Sequence, residues 1–292
     1  VAKKHKKRNR DGKKTKRVKW SAATADRHIL YEESVQCVEA DLDFFRRVFR
    51  RKRGYPCRSL REDFCGTAAL ACEWIRRDPA NTAIGVDLDR PTLDWGIEHH
   101  VARLGDAAKR LTLLQEDVLT VETTPVQAAA ALNFSYQVFK DRETLRRYFR
   151  AVHHGLASDG IFFLDAFGGT EAMEAMDEDR RIVPETRPDG TRYAPFTYVW
   201  DQAEFNPIDH HMLCHIHFKF ADGTEIKRAF TYDWRLWTLP ELQELMREAG
   251  FSEVEVYMEG WDDEEDEADG IFRRRTKIEN MVGWVAYVVG LK

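Results

Sequence analysis

Between Arg58 and Phe167 short apolar runs alternate with longer amphipathic stretches, and that alternation restricts the fold more than any other feature of the chain. The spacing predicts strands over 58–62, 82–87 (TAIGVD), 111–114, 128–134 and 160–167 (GIFFLDAF). Helices are expected over 67–77, from Pro91 to Leu104 with Gly105 as the stop, and over 141–156. Strands that take turns with helices require crossover connections, which are right-handed and produce a parallel sheet covered on both faces. The expected class is therefore α/β, a doubly wound and mostly parallel sheet of seven strands. The last two come from 252–258 and 283–290, after a helix announced by Thr238-Leu-Pro-Glu241 and ended by Gly250.

Upstream, Val35, Val38, Leu42, Phe45, Val48 and Phe49 recur at helical spacing, so one helix is expected over 33–53 within an N-terminal segment 20–56. From Gly168 the pattern changes. HIHFKF and IKRAFTY, joined by Ala221-Asp-Gly-Thr224, read as a β-hairpin, and residues 168–235 as an antiparallel insertion after the fifth strand. Its aromatics, among them Tyr193, Phe196, Tyr198, Trp200, Phe205, Trp234 and Trp237, are expected to form a substrate lid on a domain spanning 57–292.

Charge is unevenly spread. The formal net charge is -5, yet residues 1–19 carry eleven Lys or Arg against one Asp. Such a segment has too little apolar surface to fold alone and is expected to be disordered. It is either a solvated tail or an electrostatic arm for nucleic acid, an acidic surface or the chain's own acidic run at 262–269. Five cysteines with no paired spacing argue against a disulfide framework or a zinc ribbon and fit a cytoplasmic setting. No apolar run approaches the length of a membrane span, so no membrane partner is expected.

The first strand-to-helix turn, REDFCGTA (residues 61–68), holds a single glycine. It has neither the three glycines of a dinucleotide loop nor the lysine of a P-loop, so it is suited to approaching a ligand that places no phosphate there. Gly66 allows the backbone to come close, and Thr67 is positioned to cap the next helix.

REDFCGTA, AIGVDLD at the end of the second strand and LLQEDV at the end of the third, taken in order, resemble the motifs of class I S-adenosylmethionine-dependent methyltransferases. The first turn resembles a variant in which F-C-G replaces the opening glycine. Glu62 then takes the acidic position, Phe64 and Ala68 replace two glycines, and Gly66 keeps the central one. The resemblance implies a Rossmann-like fold, S-adenosyl-L-methionine as cofactor and methyl transfer as the reaction. It also implies that Asp87 accepts from both ribose hydroxyls, Leu88 packs on the adenine, and Asp117 with the Val118 backbone reads that ring. Cys65 would line the turn, Arg61 would hold the cofactor carboxylate and Tyr31 would close over its methionine end. The other reading of each aspartate is a solvated carboxylate at a strand end, and Tyr31 is equally compatible with ordinary interface packing.

Asn133-Phe-Ser-Tyr136 ends the fourth strand, where the acceptor faces the cofactor in this family. It is similar to the Asn-Pro-Pro-Tyr signature, which makes Asn133 and Tyr136 the candidate catalytic pair and Asn133 a cofactor contact; with both prolines missing, a general acceptor-facing loop is the other reading and the one the motif favours. His211, Cys214, His215 and His217 raise the question of a metal, but their spacing matches no metal motif and none is expected. The leading expectation is methylation of a small-molecule acceptor. The alternatives are an RNA or protein acceptor recruited by residues 1–19, and a module that binds the cofactor without chemistry. Composition leaves the oligomeric state open.

Overall fold

The amphipathic stretch expected as one helix over 33–53 is two. The computed structural model describes residues 17–184, 191–262 and 267–292; residues 1–16 of the basic tail and 263–266 of the acidic run lie outside it. After a short strand β1 (Arg17–Val18), helix α1 (Arg27–Val35) starts at Asp26, whose carboxylate accepts from the His28 and Ile29 amides. Gln36 then turns extended (ψ 139°) before α2 (Val38–Arg53) begins. The break lets the two helices serve different layers. Leu30 of α1 packs with Phe196, Ile216 and Phe218, whereas Leu42, Phe45 and Phe49 of α2 cover the main sheet. Gly54, at φ 82°, ends α2 as the sequence indicates.

The main sheet is assembled from β2 (Ser59–Asp63), α3 (Ala69–Arg77), β3 (Thr82–Asp87), α4 (Arg90–His99), β4 (Leu111–Gln115), β5 (Val126–Ala131), α5 (Arg142–Gly155) and β6 (Leu156–Gly168). The helix expected to reach Leu104 stops at His99. A stretch of 3-10 turns over Val101–Arg110 follows, with Gly105 at φ 56° inside it rather than beyond it. Val126-Gln-Ala-Ala-Ala-Ala131 shows why this sheet lies between two layers. Ala128 and Ala130 face the α2 and α3 side, Ala129 and Ala131 face α5, and all four are buried.

After β6 come β7 (Met176–Ile182), the two-residue β8 (Arg192–Tyr193), β9 (Phe196–Phe205), β10 (His211–Lys219) and β11 (Glu225–Arg235). They make a separate antiparallel sheet in the order β11-β10-β9-β7, with β8 pairing β1. Helix α6 (Leu239–Ala249) carries the expected capping box, Thr238 with Glu241, and ends at Gly250. Then β12 (Glu253–Asp262), β13 (Glu267–Arg275) and β14 (Trp284–Leu291) return to the main sheet, whose order is β13-β12-β14-β6-β5-β2-β3-β4.

That sheet has eight strands where the sequence suggested seven. The extra one is β13, an edge strand antiparallel to β12; its run EADGIFRRR alternates too weakly to announce itself. From β6 to β4 all neighbours are parallel, and β14 is antiparallel to both β6 and β12. Strand order reverses at β2, which pairs with β3 on one side and β5 on the other. The carboxyl ends of these three strands therefore frame a crevice. Among the described residues no helix is long and apolar enough to cross a membrane.

Candidate active site

The turn after β2 has the backbone of a glycine loop without its glycines. Phe64, Gly66 and Ala68 take φ 56°, 52° and 57°, so alternate residues are left-handed. For the two with side chains this costs roughly 1–2 kcal/mol each. Packing offsets it: the Phe64 ring lies 5.9 Å from Phe139 and 5.7 Å from Tyr148, and Ala68 is fully buried. The Gly66 amide donates to Asp87 Oδ2 at 2.7 Å and the Asp89 amide to Asp87 Oδ1 at 2.8 Å. One carboxylate at the end of β3 thus ties two turns together while keeping a lone pair on each oxygen.

The other residues of this turn divide by the two-residue period of a strand. Glu62 points toward α3, where its carboxylate accepts from the Ala71 amide at 3.0 Å and satisfies an N-terminal donor of that helix. Burial pushes the Glu62 carboxyl well above the usual carboxylate range. Thr67 is consequently not the cap that the sequence suggested. Ala68 occupies the N-cap, and Thr67 Oγ1 donates instead to Glu32 Oε1 at 2.7 Å, which also meets His100 Nε2 at 2.7 Å. Arg61 points to the opposite face and is 1% exposed. Its guanidinium grips Asp63 at 2.9 and 3.0 Å, and Asp63 takes a further bond from the Tyr148 hydroxyl. A cation withdrawn from water needs such a partner, and so engaged Arg61 does not reach the crevice.

A cavity of about 430 Å³ lies on the turn. Phe64, Cys65, Gly66 and Thr67 form its floor, Asp87 and Asp89 one end, and Asn133 and Ser135 the other. Helix α1 closes it with Arg27, His28 and Tyr31. Arg27 and His28 carried no signal in the sequence; the Asp26 cap that starts α1 is what sets them here. Burial pushes the Cys65 thiol well above its usual value, so it lines the turn as a protonated thiol. Leu88, next to Asp87, is 65% exposed, a large apolar side chain left free to cover a flat apolar ring. Leu88, Asp117 and Val118 do not line the cavity. Asp117 Oδ1 accepts from the Leu119 amide at 2.9 Å, and Val118 is buried in the apolar core.

A second cavity of about 380 Å³ adjoins the first and shares Tyr31, Asn133, Tyr232 and Trp234 with it. Asp165 of β6 lies at its base and accepts from two successive amides, Asn133 at 2.7 Å and Phe134 at 2.9 Å, both residues being left-handed. Burial raises its carboxyl to about 8, against the pull of those amides and helped by the charge of Asp41. Asp41 of α2 accepts from the Tyr287 hydroxyl and is raised to about 6, again by burial. Tyr198, Trp200, Tyr232 and Trp234 of the antiparallel sheet form the opposite wall. The sequence named three of these four aromatics; Tyr232 and both aspartates it missed. An aspartate inside the apolar run IFFLDAF was the available signal for Asp165.

Tyr136, paired with Asn133 in the sequence reading, is not in either cavity. It is fully buried among Leu145, Tyr148 and Leu164, and its hydroxyl finds no partner among the described residues. The loop forms a 3-10 turn over Ser135–Val138 that carries Tyr136 into the core and leaves Asn133 at the cavity. Trp237 is core too, its indole donating to the Phe139 carbonyl at 3.0 Å. The histidines of β10 line neither cavity: His217 meets Asp201 at 3.0 Å, His215 meets Thr231 at 2.9 Å, and His211 meets Asp233. Among the described residues no group of three His, Cys, Asp or Glu is placed to hold a metal ion.

No protein-family model and no curated protein matches the sequence. Solved structures do. One is an S-adenosylmethionine-dependent methyltransferase from Clostridium acetobutylicum ATCC 824, 13% identical, with 90% of this chain on 97% of that one at a TM-score of 0.63. The fold is that of S-adenosylmethionine-dependent methyltransferases. The methyltransferase fold is shared as well with the SAM-bound amino pentose methyltransferase CalS10 from Micromonospora echinaspora (15% identity, 89% and 95% covered, TM-score 0.61). The sugar N-methyltransferase KedS8 from Streptoalloteichus sp ATCC 53650 covers the whole chain (17% identity, 98% of its own length, TM-score 0.62).

Proposed function

We propose that this protein is an S-adenosylmethionine-dependent methyltransferase acting on a small-molecule acceptor. One observation supports this above the rest: two cavities meet at the reversal point of the sheet, one resting on the glycine-like turn and Asp87, the other closed by the antiparallel sheet.

The first cavity fits the cofactor in its donor set. A Cβ on Gly66 would meet nothing nearer than Thr92 Cγ2 at 3.9 Å, so the space over that backbone is open for a ligand. Asp87 presents free lone pairs for two hydroxyls, and exposed Leu88 presents an apolar face for a base. Arg27, exposed at the rim and 5.5 Å above the Phe230 ring, takes the role of meeting the cofactor carboxylate that Arg61 cannot perform. Bound there, S-adenosylmethionine supplies a methyl group already activated by its sulfonium. The chain's own task is then to orient the acceptor and exclude water. Tyr31, Asn133, Tyr232 and Trp234, common to both cavities, hold that passage, and the insertion acts as the lid.

Calorimetric titration tests the reading: wild-type protein should bind S-adenosylmethionine and S-adenosylhomocysteine, and Asp87→Ala should not. Absence of binding at millimolar ligand by folded wild type would overturn it. Incubating metabolite extracts with methyl-labelled cofactor then identifies the acceptor by what becomes labelled.

A further inference from the structure

The acceptor cavity has a charge character that methyl transfer alone does not require. Three carboxylates line it, Asp41, Asp165 and Glu178, and among the described residues no Lys, Arg or His forms an ion pair with any of them. The one cation in the lining, Arg180, is already committed: it donates to the Ser34 carbonyl at 2.6 Å and lies 5.0 Å over the Tyr198 ring. Facing Asp41 and Asp165 are the aromatic rings of the antiparallel sheet, and Glu178 lies on that same sheet, across the strand pair from Trp200. Tyr232 and Trp234 stack at 4.3 Å, and Trp200 lies 6.1 Å from the first and 6.2 Å from the second.

Aromatic faces carry negative potential, and the two largely buried carboxyls, Asp41 and Asp165, lack the solvent that would stabilise their charge, whereas Glu178 is an exposed carboxylate at the edge. Both features favour the same occupant. We propose that this cavity selects a small amine and receives it as the ammonium ion, with Asp41, Asp165 and Glu178 as counter-charges and Trp200, Tyr232 and Trp234 as the cation-binding wall. This deepens the methyltransferase reading and rests on it for the purpose of the site, though not for the cavity's preference for cations.

An anionic acceptor would be repelled by Glu178 and by the ionised forms of Asp41 and Asp165, and a neutral alcohol of the same shape would give those forms no counter-ion. The carboxylates also deal with the proton that an ammonium must lose before its nitrogen can act as a nucleophile. The N–H bond breaks, an O–H bond forms on Asp165 or Asp41, and the nitrogen is left neutral with its lone pair free. The other ionisable groups lining the cavity are Tyr31 of α1, Cys37 before α2, Glu178 and Arg180 of β7, Tyr198 of β9, Tyr232 of β11 and Tyr287 of β14; outside the lining, Glu39 and buried Glu62 act on Asp41, and buried Tyr136 on Asp165. Burial pushes Tyr31, Tyr198, Tyr232 and Tyr287 upward, so none of these phenols contributes charge near neutrality.

The probes are choline and its carbon isostere, which has the same shape without the charge, titrated against full-length protein while intrinsic tryptophan fluorescence is followed, with Trp234→Phe identifying the part that comes from the cavity. Choline should bind at least ~10-fold more tightly than the isostere. Asp41→Asn keeps an acceptor for the Tyr287 hydroxyl and Glu178→Gln alters an exposed side chain, so both should fold, and each should reduce that preference severalfold. Choline affinity should rise from about pH 6 to about pH 8 as Asp41 and Asp165 lose their protons, with the isostere unaffected. Equal binding of the two probes, or a preference unchanged in both variants, overturns the proposal. Cofactor titration run in parallel separates the two ideas. Cofactor binding without cation preference sinks only the amine, whereas cation preference without cofactor binding sinks methyl transfer and leaves a cation site.

Discussion

Gly96 of α4 packs directly on the backbone of the turn after β2, and Gly96→Ala measures that contact. A Cβ at this position would lie 2.3 Å from the Thr67 carbonyl oxygen, 2.7 Å from its carbon and 2.9 Å from Thr67 Cα. All three are backbone atoms, so no side-chain rotation relieves the clash, and the helix and the turn must separate by about 1 Å to reach ordinary contact. Overpacking of this kind costs about 1–3 kcal/mol, and the rigid neighbour places it near 3. Alanine returns about 1 kcal/mol through its greater helix propensity. A net loss of about 2 kcal/mol is expected, read as a lower urea midpoint with an unchanged m-value. Thr67 lies in the floor of the first cavity, so S-adenosylmethionine affinity should fall as well. Gly66→Ala is the contrast. Its added Cβ meets no atom within 3.4 Å, so the cost is the left-handed strain of ~1 kcal/mol, while the methyl fills ligand space. An unchanged midpoint in Gly96→Ala would refute the claim that α4 positions the turn by direct backbone contact.

Three further outcomes are expected. Asp87→Asn should weaken S-adenosylmethionine by roughly 10- to 100-fold, as loss of hydrogen bonds to a charged acceptor predicts, with a smaller effect on the unfolding midpoint; calorimetry reads it. Tyr136→Phe removes a buried hydroxyl without a partner among the described residues, so stability should hold or rise and any methyl transfer should persist; a collapse in turnover at unchanged midpoint would restore Tyr136 to the site. Asp165 is raised to about 8 in the folded chain, so the folded state holds a proton there that the unfolded chain releases near pH 4. Its contribution is therefore complete below that pH and is lost as pH rises toward 8, and Asp165→Asn should flatten the decline in stability measured across this window.

The parallel core was legible because burial on both faces leaves a simple trace: β3 runs from Thr82 to Asp87, the span that TAIGVD indicates. The break at Gln36 and Cys37 was not. Neither residue is a helix breaker, and Val35 and Val38 continue the apolar spacing across it; the decision belongs to the two sheets on which α1 and α2 pack. Strand β7, MDEDRRI, has apolar residues only at its ends, and its pairing with β9 is what makes it a strand. At the site, turn and strand ends were readable because their backbone role is local. Arg61 was misjudged because its partner Asp63 sits two residues on, and only a face assignment separates a ligand contact from a buried ion pair. Asp41 and Asp165 come from elements far apart in sequence, and the cavity they share exists only in three dimensions.

Helix α1 belongs, by packing, to the antiparallel sheet, yet through Tyr31 it walls both cavities, and Tyr232 of β11 does the same from the sheet itself. Ligands in the two cavities would touch the same four side chains, Tyr31, Asn133, Tyr232 and Trp234. The two occupants are thermodynamically linked: each should tighten the other by the same factor, and the site should release them more readily apart than together.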